Sequence, residues 1–214
     1  DAAYRRIDNI SPELVAEYQR ELGADITADD IFDYVYGLLC SPDYRTRFAA
    51  DLSKMLRRIP RVADRQTFDA FAAAGRELAD LHVDYEQVEP YPLEEIATGR
   101  SSDPWEHFRV TKLRFGKAGK EVDRGTIIFN ANVTLSGIPE EAYRYQLGPR
   151  SAIEWIMDRY QVRTDKASGI VNDPNDWSRE VDDPRYVIDL LKRIVTVSLK
   201  TNRIVEALPA LDVG

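Results

Sequence analysis

Catalysis needs a nucleophile, a base or a metal-ligating set, and this chain of 214 residues has few of them. Cys40 is the single cysteine, and His82 and His107 are the two histidines. A thiolate nucleophile needs a base beside it, and neither histidine stands in a nucleophile motif. One cysteine makes no internal disulfide and no zinc cluster, which reads as a reducing, cytoplasmic compartment. The phosphate loop G-x-x-x-x-G-K-S/T, the dinucleotide motif G-x-G-x-x-G, the zinc motif H-E-x-x-H and the hydrolase elbow G-x-S-x-G are all missing from the sequence. Asp173, Asp176, Asp182 and Asp183 could face a hard cation, but they lack the ligand spacing of a calcium loop. Aspartates in such loops make turn and cap hydrogen bonds instead. The expectation is therefore a chain with no catalytic residue, no metal site and no cofactor site.

Charge is the more informative chemistry. The net charge is -8, which argues against a general nucleic-acid coat, because phosphates are neutralised by Lys and Arg. The charge is unevenly spread. Residues 107–170 hold eleven bases against seven acids, a net +4, which leaves -12 for the rest. Lys112, Arg114, Lys117, Lys120, Arg124, Arg144, Arg150 and Lys166 could set a register on phosphates. Asn130, Asn132 and Arg144, and with them Gln146, carry groups of the kind that read base edges. Without Gln146, the ten residues named are the candidates for DNA contact. The plain alternative is that they are solvated charges on strand edges, where lysines block aggregation.

The elements that must carry these residues follow from spacing and punctuation. Ser11-Pro12-Glu13 opens a helix with a cap, a proline at its first position and an acid in its first turn. Gly23 ends it. Thr27 to Asp30 opens a second helix, Ser41-Pro42 a third that runs past Met55 to Pro60, and Phe68 to Leu81 marks a fourth by spacings of three and four. Residues 85–104 hold three prolines and a glycine among acids and read as a surface connection. Residues 107–115 alternate as a half-buried strand does, 116–120 read as a turn, and 126–129 and 133–135 as further strands. Short helices follow at Pro139 and at Ser151, then a turn-rich loop from Asp165 to Trp177, then a long helix from about Pro184 to Ala207. The fold class is α+β: an N-terminal helical part (1–84), then a small, mostly antiparallel sheet with C-terminal helices (85–214). No apolar run approaches the roughly 20 residues that span a bilayer.

One stretch is specific enough to point to a family. Tyr34-Val35-Tyr36-Gly37-Leu38-Leu39-Cys40-Ser41-Pro42-Asp43-Tyr44-Arg45, followed by Asp51-Leu52 and Arg58-Ile59-Pro60, resembles a region near the C-terminus of type ISP restriction–modification enzymes. Ser136 to Pro139, Ser151 to Ile156 and the run Thr164 to Asp176 resemble the same family, so the similarity covers nearly the whole chain. Cys40 stands where the family usually has His, and Arg57 where it usually has Pro. The resemblance implies a target-recognition domain of a long polypeptide that also carries a nuclease, a translocase and an adenine-N6 methyltransferase. The implied partners are double-stranded DNA and the methyltransferase domain of the same polypeptide, with no membrane partner. S-adenosylmethionine, ATP and Mg would serve the rest of that polypeptide and not this chain. The alternative is a non-catalytic docking module with little DNA contact. Motifs shared across a family should not read variable targets, so Tyr34 to Arg45 are expected to be structural.

Overall fold

The structure is a computed structural model that describes residues 7–52 and 58–212. The described residues up to Val83, with those from Arg203 on, make one compact unit, and Asp84–Asn202 make the other. The tail joins the first unit because Leu208 and Leu211 pack into its core, whereas the sequence division at 84/85 leaves it in the second part.

The first unit is helical: α1 (Pro12–Leu22), α2 (Ala28–Cys40), α3 (Pro42–Arg47), α4 (Ala49–Leu52) and α5 (Arg65–Val83). Its starts are written locally. The Ser11 hydroxyl accepts the Leu14 N–H, and Thr27 and Asp30 form a reciprocal capping box. Ser41 ends α2 and caps α3 with its hydroxyl. The third helix breaks at Phe48, and the expectation at Met55 and Arg57 lies outside the described residues. Tyr18, Tyr34, Phe68 and Phe71 form an aromatic core, with Tyr34 stacked on Phe68 at 5.0 Å between centroids. Each such ring contributes roughly 1.5–3 kcal/mol by leaving water. The Tyr34 hydroxyl donates to the Pro60 carbonyl at 2.6 Å and the Tyr44 hydroxyl to the Arg58 carbonyl at 2.8 Å. α2 and α5 meet backbone to backbone. A Cβ on Gly75 would lie 1.7 Å from the Asp33 carbonyl oxygen, and one on Gly37 would lie 2.2 Å from that of Phe71. The family-like stretch from Tyr34 to Tyr44 is thus a helix crossing and a shared cap.

The second unit holds a four-stranded antiparallel sheet of β1 (Glu94–Ala97), β2 (Arg114–Ala118), β3 (Glu121–Ile128) and β4 (Val133–Ser136), in the order β1-β4-β3-β2. A short helix, α6 (Pro104–His107), lies between β1 and β2. The two-residue strands β5 (Gln146–Leu147) and β6 (Arg150–Ser151) pair with each other and lead into α7 (Ala152–Arg159). Another small pair, β7 (Arg163–Thr164) and β8 (Val171–Asn172), precedes α8 (Pro174–Glu180) and α9 (Tyr186–Glu206). Ile127, Phe129, Val133 and Leu135 of the sheet region pack with Val187, Leu190, Leu191 and Val195 of α9. Among the described residues no helix is long and apolar enough to cross a membrane.

The expected strand over 107–115 is corrected: β2 begins at Arg114, and the expected turn at 116–120 is strand up to Ala118. Two side-chain amides take the backbone groups that a ladder would have used. Asn130 donates to the carbonyls of His107 and Arg109 at 2.8 and 3.0 Å. Asn175, buried, accepts the Val110 N–H at 2.9 Å and donates to the Val110 carbonyl at 2.8 Å. The surface connection 85–104 contains β1, which pairs with β4 although all four of its residues are exposed. The turn-rich loop 165–177 contains the β7–β8 turn, β8 itself and the start of α8, which Asp173 caps. Asp183 likewise accepts the Arg185 N–H at 2.8 Å.

Glu95 of β1 ties the sheet edge to α9. It accepts from Arg185 at 2.6 Å and from Lys192. Burial pushes its carboxyl up, but the hydrogen bonds from Arg185 and Lys192 outweigh that and hold it below its ordinary value. A carboxyl with a depressed folded pKa stabilises above its unfolded value and loses that contribution as pH falls through the folded one. Stability, followed by urea melts, is expected to drop as the pH falls through and below the ordinary carboxylate range. Glu95→Gln is expected to lower stability at pH 7 and to flatten this acid limb. An unchanged limb would place the pH dependence elsewhere.

Candidate nucleic-acid interface

Three unpaired cations of the second unit sit on one hairpin, with Lys112 just before it. Lys112, Arg114, Lys117 and Lys120 are exposed and form no ion pair or side-chain hydrogen bond among the described residues. The β2–β3 hairpin turns at Gly119 and Lys120. Gly119 has φ +66° with open space around it, as suits the first turn position of a tight hairpin. Lys117 pairs across the ladder with Val122, which is 63% exposed.

The hairpin is anchored by a break in register. Phe115 pairs with Ile127 but Gly116 pairs with Asp123, which leaves residues 124–126 bulged from β3. Gly116 is needed there, because a Cβ would stand 2.9 Å from the Thr126 Cβ. The bulge sends Arg124 toward α7, where it pairs with Glu154 at 3.0 Å. Its guanidinium also lies over the rings of Phe115 and Tyr143, 5.6 and 5.3 Å from their centroids. The Tyr143 hydroxyl donates to the Arg124 carbonyl at 2.7 Å.

Beside this anchor lies an open cleft of about 240 Å³, lined by Lys112, Phe115, Arg150, Glu154, Asp158 and Gln161 among others. Asp158 pairs with Arg150 at 3.0 Å and with Arg163 at 2.5 Å. The Arg163 hydrogen bond holds the Asp158 carboxyl below its ordinary value. Burial raises that of Glu154, but hydrogen bonds from the Ser151 backbone and hydroxyl and the nearby Arg124 and Arg150 charges leave it net lowered. Both acids are charged at neutral pH. Four cations (Lys112, Arg124, Arg150, Arg163) thus surround two carboxylates four residues apart on one helix.

The structure brings Lys112 and Arg150 to this cleft, ties Arg124 to its edge through the ion pair with Glu154, and places Arg114, Lys117 and Lys120 on the adjoining hairpin. It does not give Asn130 a base-reading role. Its amide hydrogens go to His107 and Arg109, and its oxygen accepts the N–H groups of Asn132 and Val133 at 2.7 and 2.8 Å. The Asn132 side-chain amide donates only at 3.4 Å, to the carbonyls of Glu106 and His107. Arg144 lines a separate hollow with Arg124, Glu140, Glu141 and Tyr143. Lys166 sits in the exposed β7–β8 connection, whose turn is built by Asp165 accepting from Ala167 and Ser168. Arg163 is the residue that sequence reading missed. The signal for it is indirect: Asp158 lies five positions earlier, just before the helix end.

Among the described residues no group of three or more His, Cys, Asp or Glu side chains comes together to hold a metal. Burial pushes the Cys40 thiol up, which opposes the thiolate form.

The family model of the type ISP C-terminal specificity domain matches residues 1–190. No curated protein matches the chain. Among solved structures, the chain is similar to a nuclease-deletion mutant of the type ISP restriction-modification enzyme LlaGI in complex with a DNA substrate mimic. The identity is 41% and the TM-score 0.76, over 89% of this chain and 14% of that one. It is similar to the ATP-dependent type ISP enzyme LlaBIII bound to DNA at 37% identity and TM-score 0.76, over 89% and 12%. It is also similar to DrdV in a DrdV–DNA complex at 33% identity and TM-score 0.78, over 97% and 20%. The chain therefore spans a fifth or less of the length of these relatives. By the family match over 190 residues and by these likenesses in sequence and fold, the chain belongs to the type ISP C-terminal specificity domain family.

Proposed function

We propose that this chain recognises a duplex DNA target, with the cationic face of its second unit laid along the backbone. The observation that carries this reading is the row of exposed, unpaired cations on and beside the β2–β3 hairpin, in a chain whose net charge is -8. Phosphate contacts fix position and carry no sequence information, so discrimination falls to groups that reach base edges. A two-stranded ribbon is of a size to enter the major groove. Lys117 and Val122 lie on one face of this ribbon, a cation suited to guanine and an apolar group suited to a thymine methyl. The presence of DNA, or of a DNA substrate mimic, in the structures of the three similar proteins supports the same reading.

In the longer polypeptide the domain directs the adenine-N6 methyltransferase, its neighbour, to the target base. An unmodified target licenses the translocase and nuclease. S-adenosylmethionine, ATP and Mg serve those other domains.

The test is selection of this chain against a random duplex pool at low salt, followed by sequencing. One short asymmetric motif is expected to enrich. If none does, with or without a methyltransferase domain attached, the target-reading role is lost and the docking role becomes the better account.

A further inference from the structure

The two acids that line the cleft beside the hairpin, Glu154 and Asp158, hold arginines in and around it in ion pairs, which is unusual for a surface meant to take phosphates. Arg124 is held by Glu154, and Arg150 and Arg163 share Asp158. All three guanidiniums are about half exposed, so a phosphate could reach them. Both acids are on α7, one turn apart, and Glu154 is fixed further by its capping box with Ser151. A phosphate entering the cleft must compete with a carboxylate already in place. The hairpin cations Arg114, Lys117 and Lys120 face no such competitor among the described residues.

Building on the DNA-recognition reading, we propose that Glu154 and Asp158 are specificity-determining residues that suppress binding to non-target duplex by occupying the arginines in and around the cleft. Random sequence engages the unpaired hairpin cations only. A duplex that the hairpin reads correctly is held long enough, and in the right register, for its phosphates to displace the two carboxylates. The ion pairs thus set a threshold that only the target crosses. The two acids lower affinity for all DNA, and they lower it more for the wrong DNA.

The test compares Asp158→Asn and Glu154→Gln with the unaltered chain. Glutamine at the third helical position preserves the capping box, and asparagine at 158 is nearly isosteric, so thermal melts should stay close to that of the parent. Affinity for a random-sequence 30-base-pair duplex and for the selected target is read by fluorescence anisotropy between 50 and 200 mM salt. Each variant is expected to bind random duplex about three- to tenfold more tightly, the scale of one charge beside a phosphate. Its salt slope should be steeper, and its target-to-random ratio smaller. Asp176→Asn, which removes an exposed acid of α8 that does not line the cleft and pairs with Arg179 only at 3.7 Å, should change affinity less than about twofold by the same scale. Variants that behave like Asp176→Asn, or that bind random and target duplex equally more weakly, would overturn the inference while leaving DNA recognition intact. Absence of duplex binding by the unaltered chain would remove both.

Discussion

Alanine at Arg114, Lys117 and Lys120 together is expected to weaken duplex binding by about 100-fold at 0.1 M salt, with little change in folding stability. Each cation that neutralises a phosphate contributes about 0.9 to the slope of log affinity against log salt. Removing three should make that slope shallower by roughly 3. Folding should hold because all three side chains are exposed and without ion-pair or hydrogen-bond partners among the described residues. Surface changes of that kind stay within about 0.5 kcal/mol. The measurement is a salt titration of binding beside a urea melt. A weaker affinity with an unchanged slope would mean that the hairpin acts by shape and does not touch phosphates.

Gly75→Ala is expected to destabilise the helical unit by about 3 kcal/mol or more, at the upper end of overpacking costs. The added Cβ would sit 1.7 Å from the Asp33 carbonyl oxygen and 2.8 Å from the Gly37 nitrogen. Neither neighbour is a flexible side chain, so α2 and α5 must part. Parting them loosens Tyr34, Phe68 and Phe71 together. The helix propensity gained by replacing glycine, about 1 kcal/mol, is too small to compensate. A chemical melt that monitors tyrosine fluorescence reads the loss. A variant as stable as the parent would mean that the crossing is less close than described.

Sequence reading did best where structure is local. Ser11, Thr27 with Asp30, and Ser151 with Glu154 each cap their helix from within four residues, so the signal sits beside the element it starts. It did worst where distant residues decide. The apolar alternation over 107–115 points to a strand. Asn130, 21 and 23 positions from the backbone groups it binds, and Asn175, 65 positions away, turn it into an irregular segment. β1 gave no signal because pairing with β4, and not burial, makes it a strand.

The candidate interface divided along the same line. The exposure of Lys112, Arg114, Lys117 and Lys120 was legible because cations in a charged, turn-rich segment stay in water. Asn130 was misread because nothing in its neighbourhood showed that its whole amide is used internally. The ion pairs of Arg124, Arg150 and Arg163 could not be seen before α7 was set beside the sheet.

The bulge at residues 124–126 separates the hairpin into a fixed base and a free end. Its base is clamped by Arg124, Tyr143 and Glu154, while its tip at Gly119 meets open space. Length can therefore vary at the tip without disturbing the clamp. Lengthening both strands of the ribbon by two residues keeps each side chain on its own face, and lengthening by one reverses every face beyond that point. A lineage, or an engineer, seeking a new target sequence could exchange the tip in even steps and leave the rest of the domain alone.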